Sequence, residues 1–167
     1  LPREMSETYK GARVLVTGGT GSIGSEIVRE LLAHAPAVVR VFSRDETKHY
    51  LFQEELGARN DVRFLVGDVR DRKRLRRALE GIDFVFHAAA LKHVPSCEYN
   101  PFEAVQTNVV GTQNLIDAAL DAGVKRFVAI STDKAVVPTY VMGATKLLAE
   151  KIVTASQMWA KGLTLSC

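Results

Sequence analysis

Asp133 and Lys134 stand side by side in the run STDKAVVPTYVMGATK (131–146), and Lys146 closes it. An acid and an amine at the end of a buried strand become a proton donor and acceptor once a substrate excludes water. A lysine base must shed its proton near neutral pH, and burial or the neighbouring charge of Lys146 would push it that way. Met142 stands one helical turn before Lys146, where a proton-transfer enzyme would carry tyrosine, and a thioether cannot carry a proton. Tyr140 is two residues away, about 200° round a helix from that position, and is no substitute. The plainer reading of Asp133–Lys134 is a surface ion pair or a helix cap.

A second chemistry is written in VLVTGGTGSIGSEIVRELL (14–32), which follows an apolar run and opens a helical one. Two spacings fit, Gly18-x-x-Gly21-x-x-Gly24 and Gly19-x-Gly21-x-x-Gly24, with Ser22 and Ile23 at the start of the helix. Glycines there permit a tight turn and a close approach of backbone to a pyrophosphate, while the helix N-terminus offers unpaired N–H groups. These residues are therefore candidates to bind a dinucleotide. Ser43 and Arg44 follow the second apolar run and suit a 2′-phosphate, which favours NADP. NAD is the alternative, because Asp45 lies near the distance at which an acid would meet a ribose 2′-hydroxyl. Asp68 and Val69, in GDV after the third run, would border the adenine; a turn or cap is the other reading of Asp68. Ala88, Ala89 and Ala90 are small enough to admit a nicotinamide ribose, and equally suit tight helix packing.

These groups need a scaffold that brings them to one edge. RVLVT (13–17), VVRVF (38–42), VRFLV (62–66), DFVFH (83–87) and RFVAIS (126–131) read as buried strands, and LTLSC starts a sixth. Helical patterns lie between them at about 22–34, 46–57, 71–80, 101–122 and 139–161. Near-continuous apolar strands alternating with helices predict an α/β fold, a doubly wound parallel sheet of the Rossmann type. Ligands of such sheets bind beyond the carboxyl ends of the strands, where HAAALKHVP (87–95) and STDK (131–134) both arrive.

The 167 residues read as one domain, with 1–11 a flexible lead-in, and the composition (47% apolar, 25% charged, net charge +3) is that of a soluble globular protein. The basic excess concentrates in RDRKRLRRALE (70–80), a solvated helix face or, alternatively, a contact for an anionic surface. Cys97 and Cys167 lack metal-ligand spacing and suit a reducing cytoplasm. His87 and His93 find no third ligand, so no metal is expected and a satisfied core histidine is the better reading. No leader or bilayer-spanning run is apparent, and a chain opening on leucine reads as a piece of something longer.

VTGGTGSIGSE, FSRDE, HAAALKHVPSCEYNPFEAVQTNVVGTQNLIDAA and STDKAVVPTYVMGATKLLAEK together resemble the extended short-chain dehydrogenase/reductases. More narrowly, they resemble the nucleotide-sugar 4,6-dehydratases that act on UDP-N-acetylglucosamine in polysaccharide synthesis. The resemblance implies a lyase using NADP: hydride leaves sugar C4, a base matched by Lys134 removes the C5 proton, an acid matched by Asp133 protonates the departing C6 hydroxyl, and hydride returns to C6. Thr132 matches the position that hydrogen-bonds the reacting hydroxyl. Lys146 matches the lysine that binds the nicotinamide ribose and tunes the base, and Lys92 lies near sugar or cofactor. Met142 matches a branch of these dehydratases with VMGA before the lysine, so the catalytic site is altered and still competent. The family also implies homo-oligomers through the helices near 101–122 and 139–161. Because its members continue beyond a sixth strand, the resemblance implies a domain truncated after the fifth helix. A non-catalytic dinucleotide-binding module is the second reading, and a nucleotide-sugar 4-epimerase the third. Nucleic-acid binding has no motif here.

Overall fold

Alternation of apolar residues decides which side of each strand is buried, and the computed structural model, which describes residues 7–167, shows both faces in use. Six strands, β1 (Arg13–Thr17), β2 (Val38–Ser43), β3 (Val62–Val66), β4 (Phe84–His87), β5 (Arg126–Ala129) and β6 (Thr164–Ser166), form one sheet. Their order is β3-β2-β1-β4-β5-β6 and every pairing is parallel. The chain reverses direction across the sheet between β1 and β4, the place where such folds bind ligands. The expected Rossmann-type α/β fold is the one observed.

Val14, Val16, Val39, Val41 and Val62 face one layer, made by α1 (Ser22–Leu32) and α2 (Glu46–Leu56) through Val28, Leu31 and Phe52. Leu15, Phe42, Val85, Phe127 and Leu165 face the other, where α3 (Arg72–Leu79), α6 (Gly111–Asp121) and α7 (Val141–Ser156) contribute Leu75, Leu79, Leu115, Ile116 and Val153. Burying both faces excludes water from the strand backbones and fixes register, since a one-residue slip would turn these sets outward.

Three local features depart from the sequence expectation. VPSCEY forms a short helix, α4 (Val94–Tyr99), which a proline and a single buried residue, Cys97, do not announce. The helix expected over 101–122 is α5 (Pro101–Ala104), then a π-helical segment (Val105–Val110), then α6. Its widened turn buries Thr107, Asn108 and Val109 in succession, which a regular helix face would not do. The last helix runs over 141–156 instead of 139–161. Tyr140 is extended, and beyond Ser156 the Gln157 side chain accepts from Leu165 N at 2.8 Å, binding the chain to β6. Of the lead-in, residues 1–6 lie outside the described residues; Tyr9 packs edge-on against Phe84, ring centroids 5.4 Å apart.

Candidate active site

The loops after β1, β2, β3 and β4 enclose a cleft of about 760 Å³ at the carboxyl edge of the sheet. Gly18, Gly21, Ser22, Ile23 and Gly24 form one wall, and Ser43, Arg44, Asp68 and Val69 form the far end. Ala88, Ala89 and Ala90 form the side nearest β5. The structure thus brings together every sequence-predicted cofactor residue except Gly19, which belonged to the alternative spacing, and Lys146.

The glycine wall is built by close packing. Gly18 has φ +65°, and a Cβ on Gly24 would stand 2.2 Å from the Gly18 carbonyl oxygen. Only hydrogen side chains let α1 start this near the turn. Gly21, the N-cap of α1, has no capping side chain, and the first turn holds no acid. By contrast α2 and α3 are capped by Asp45, which accepts from Lys48 N, and by Asp71, which accepts from Arg74 N, both at 3.0 Å. The N–H groups of α1 therefore open into the cleft with their positive end uncompensated, and the donor set, glycine backing and cleft volume fit a dinucleotide.

At the far end Ser43 Oγ meets Thr20 Oγ1 at 2.8 Å, and Arg44 reaches Asp68 at 3.6 Å. Burial works to raise Asp68, but hydrogen bonds from the Arg70 side chain and backbone outweigh it, with the Arg70 and Arg44 charges adding, so its carboxyl stays below the usual range. Asp68 is also the turn acid of its loop, accepting from Arg70 N at 2.9 Å. Arg70 continues to Glu103 at 2.6 Å and ties this wall to α5.

Beneath the alanines His87 is buried and fully bonded, as a core histidine should be. Thr112 gives its hydroxyl hydrogen to Asn108 O at 2.6 Å, so it accepts from His87 Nε2 at 2.9 Å. That leaves Nδ1 to accept from Thr17 Oγ1 at 2.7 Å. Burial, aided by the Lys146 charge, lowers its pKa to about 3. Asn108 holds the same loop: it accepts from Leu91 N at 2.8 Å and donates to Leu91 O at 2.9 Å and Thr145 Oγ1 at 3.0 Å. Asn108→Ala strands both Leu91 groups, and we expect a loss of about 2–3 kcal/mol in denaturant unfolding.

The second cluster lies beside the cleft at the end of β5, outside its wall. Thr132 caps a 3₁₀ turn (Asp133–Ala135) and its hydroxyl donates to Asp133 Oδ1 at 3.1 Å. Asp133 and Lys134 are exposed. The burial expected to perturb Lys134 falls instead on Lys146, whose Nζ donates to Ile130 O at 2.5 Å. Burial lowers the Lys146 pKa and Glu150 opposes the shift. The reason is local: a carbonyl just past the strand end needs a donor, and Lys146 on α7 is within reach of it. Ser131 is bonded to Glu150, which fixes the same corner. Met142 is 4% exposed and packs with Cys97, Ala104 and Leu91, so its side chain serves an apolar cluster between α4, α5 and α7. Gly143 lets α7 approach the turn; a Cβ there would lie 2.4 Å from Lys134 O.

Sequence reasoning did not assign Thr20, Lys48 or Thr107 to the cleft, although each lines it. Lys48 stands in the first turn of α2, three residues past its cap Asp45, a place that was readable. Thr107 is 3% exposed and its hydroxyl has no partner, a placement created by the π turn and invisible in sequence. Among the described residues no group of three or more His, Cys, Asp or Glu is placed to hold a metal.

Residues 14–165 match the family model described as polysaccharide biosynthesis protein. A Methanocaldococcus jannaschii protein described as an uncharacterized membrane protein is 56% identical over 157 residues, covering 94% of this chain and 47% of that one. The inverting UDP-N-acetylglucosamine 4,6-dehydratase of Campylobacter jejuni is 46% identical, covering 89% and 44%. A Rickettsia felis UDP-glucose 4-epimerase is 43% identical, covering 92% and 46%. The chain thus spans less than half the length of these relatives. Among solved structures, DesIV of Streptomyces venezuelae, a dTDP-glucose 4,6-dehydratase with NAD and TYD bound, superposes with TM-score 0.81 at 34% identity, covering 88% of this chain and 52% of that one.

Proposed function

The chain belongs to the polysaccharide biosynthesis protein family, and on that premise we propose that it is the dinucleotide-binding part of a 4,6-dehydratase of UDP-N-acetylhexosamines. The observation that supports this best is the meeting of two groups at one sheet edge. The uncapped glycine cleft follows β1, and the Thr132–Asp133–Lys134 turn follows β5, two strands away. When bound in the cleft, a nicotinamide dinucleotide supplies a reversible hydride acceptor. With sugar C4 as a ketone, Lys134 would take the proton from C5, and the electrons of that bond would form C5=C6 as the C6–O bond breaks. The Lys134 ammonium would give the proton back to C5 when hydride reaches C6. Asp133 gives its proton to the departing oxygen, which leaves as water. Thr132 orients the hydroxyl under attack, and a sugar seated over the exposed turn withdraws Lys134 from water. Lys146 holds the Ile130 carbonyl and so the start of the turn.

NADP is the cofactor we favour, because Arg44, Lys48 and Ser43 line the far end while Asp45 is engaged as the α2 cap. We place the domain in the cytoplasm, with Cys97 and Cys167 both free; among the described residues no helix is long and apolar enough to cross a membrane. We also propose pairing through α6 and α7, where Val110 at the start of α6 and Leu148 on α7 stand exposed. Sedimentation should give a dimer, and a monomer across the micromolar range would rule the pairing out.

The deciding experiment is incubation with NADP+ or NAD+ and UDP-N-acetylglucosamine, followed by mass analysis. A product lighter by one water supports the dehydratase. An isomer of unchanged mass would favour a 4-epimerase, the activity named for the Rickettsia relative. Cofactor binding with no product would favour a non-catalytic module.

A further inference from the structure

His49 is a buried histidine that neither the glycine loop nor the Asp133–Lys134 turn uses. It rises from the first turn of α2, is 4% exposed, and lies edge-on against Phe64 with ring centroids 5.6 Å apart. Its Nε2 stands 2.7 Å from Ser43 Oγ and 3.2 Å from Ser43 O, and its Nδ1 is buried without a partner. Ser43 Oγ continues to Thr20 Oγ1 at 2.8 Å, and both hydroxyls line the cleft. A chain of three polar groups therefore runs from the interior to the ligand surface.

The hydrogens in that chain have a direction. A buried N–H costs more unpartnered than a bare lone pair, so the ring hydrogen belongs on Nε2, shared between Ser43 Oγ and Ser43 O, and the unpartnered Nδ1 is the lone pair. Burial keeps the ring below its ordinary pKa, against the Ser43 backbone bond and the Asp45 charge that favour protonation. With Nε2–H pointing at Ser43, the serine oxygen is an acceptor on its inner side, and its own hydrogen is turned outward. Thr20 can then accept from Ser43 and pass its hydrogen outward in turn. That leaves one outward hydroxyl donor, on Thr20, beside Arg44 and Lys48, which matches a group that accepts and never donates.

We propose that His49 is a positioning residue that orders the Ser43–Thr20 pair with its free hydrogen turned outward on Thr20, and so selects a cofactor carrying a phosphate monoester on its adenosine ribose. The proposal rests on the dinucleotide reading of the cleft. His49→Phe keeps the ring against Phe64 and removes Nε2–H. His49→Gln returns an N–H close to the place of Nε2.

The test is calorimetric titration of the three proteins with NADP+ and with NAD+. In His49→Phe the NADP+ affinity should fall about tenfold, the scale of one hydrogen bond, while NAD+ affinity changes less than about twofold; His49→Gln should restore NADP+ binding. Ser43→Ala is the second variant, should the phenylalanine not be accommodated, and the same selective loss is expected. Parallel loss of both cofactors, no loss of either, or a loss that glutamine does not repair overturns the role of His49. Failure of the unaltered chain to bind either cofactor overturns the dinucleotide reading instead.

Discussion

Gly24→Ala should lose dinucleotide affinity by about a hundredfold or more, read by titration with NADP+ and NAD+. The added Cβ would lie 2.2 Å from Gly18 O, 2.8 Å from Gly18 C and 2.8 Å from Gly19 Cα, all of them backbone atoms. No side chain can swing aside, so either α1 or the turn must move. Gly18 O already accepts from Gly21 N at 2.9 Å, which ties the turn to the residue that starts the helix. Movement of either part takes the first-turn N–H groups away from the place where a pyrophosphate would meet them, and those donors are what the uncapped helix offers. Overpacking also costs about 1–3 kcal/mol, so thermal unfolding should fall by several degrees. Affinity within twofold of the unaltered chain would show that the contact between α1 and the turn does not form the site.

That prediction was available from sequence in kind but not in size. The three-glycine spacing after an apolar run predicts the turn, and Ser22, Ile23, Ser43, Arg44, Asp68 and the three alanines follow because each lies at or soon after the end of a strand. Parallel strands deliver their carboxyl ends to one edge, so residues there converge without further information. The sheet was legible for a similar reason: strands buried on both faces are written as unbroken apolar runs.

What sequence does not carry is which way a side chain turns after its strand ends. From sequence, burial is expected at Lys134, the candidate base, with Lys146 as its neighbouring charge. Burial reached Lys146, because it projects from a helix packed on the sheet, while Lys134 lies on a one-turn segment at the surface. Met142 looked like an altered proton carrier; its buried place among Cys97, Ala104 and Leu91 shows a packing demand as well. The π segment adds one residue to a turn without changing composition, so the inward face of Thr107 could not be read from periodicity.

Acid should destabilise the domain from about pH 6.5 downward, with His87 as a principal cause. Its folded-state pKa of about 3 lies below the ordinary 6.5 of the unfolded chain. The unfolded state therefore takes up the proton first, so the stability contributed by neutral His87 is complete above pH 6.5 and is lost as pH falls toward 3. One proton corresponds to about 1.4 kcal/mol per pH unit, and the full shift to roughly 4–5 kcal/mol. The geometry explains why protonation is resisted. Nδ1 accepts from Thr17, and a hydrogen placed there would confront that hydroxyl in a buried site. Thr17 could reverse, but it would give up its donated hydrogen bond, and the charge would face Lys146. His49, also lowered by burial, adds to the slope in the same window. Asp61, Asp68 and Asp83, held down by arginine or lysine partners, add theirs only once pH falls into the ordinary carboxylate range and below it. The interval from pH 6.5 to 5 is thus left to the two histidines, and a variant separates them. His87→Gln keeps a donor toward Thr112 and does not titrate. Denaturant unfolding should show its stability changing less across pH 6.5–5 than that of the unaltered chain, by about one proton's slope. An identical slope in both would mean that His87 is charged, or free to be charged, in the folded protein.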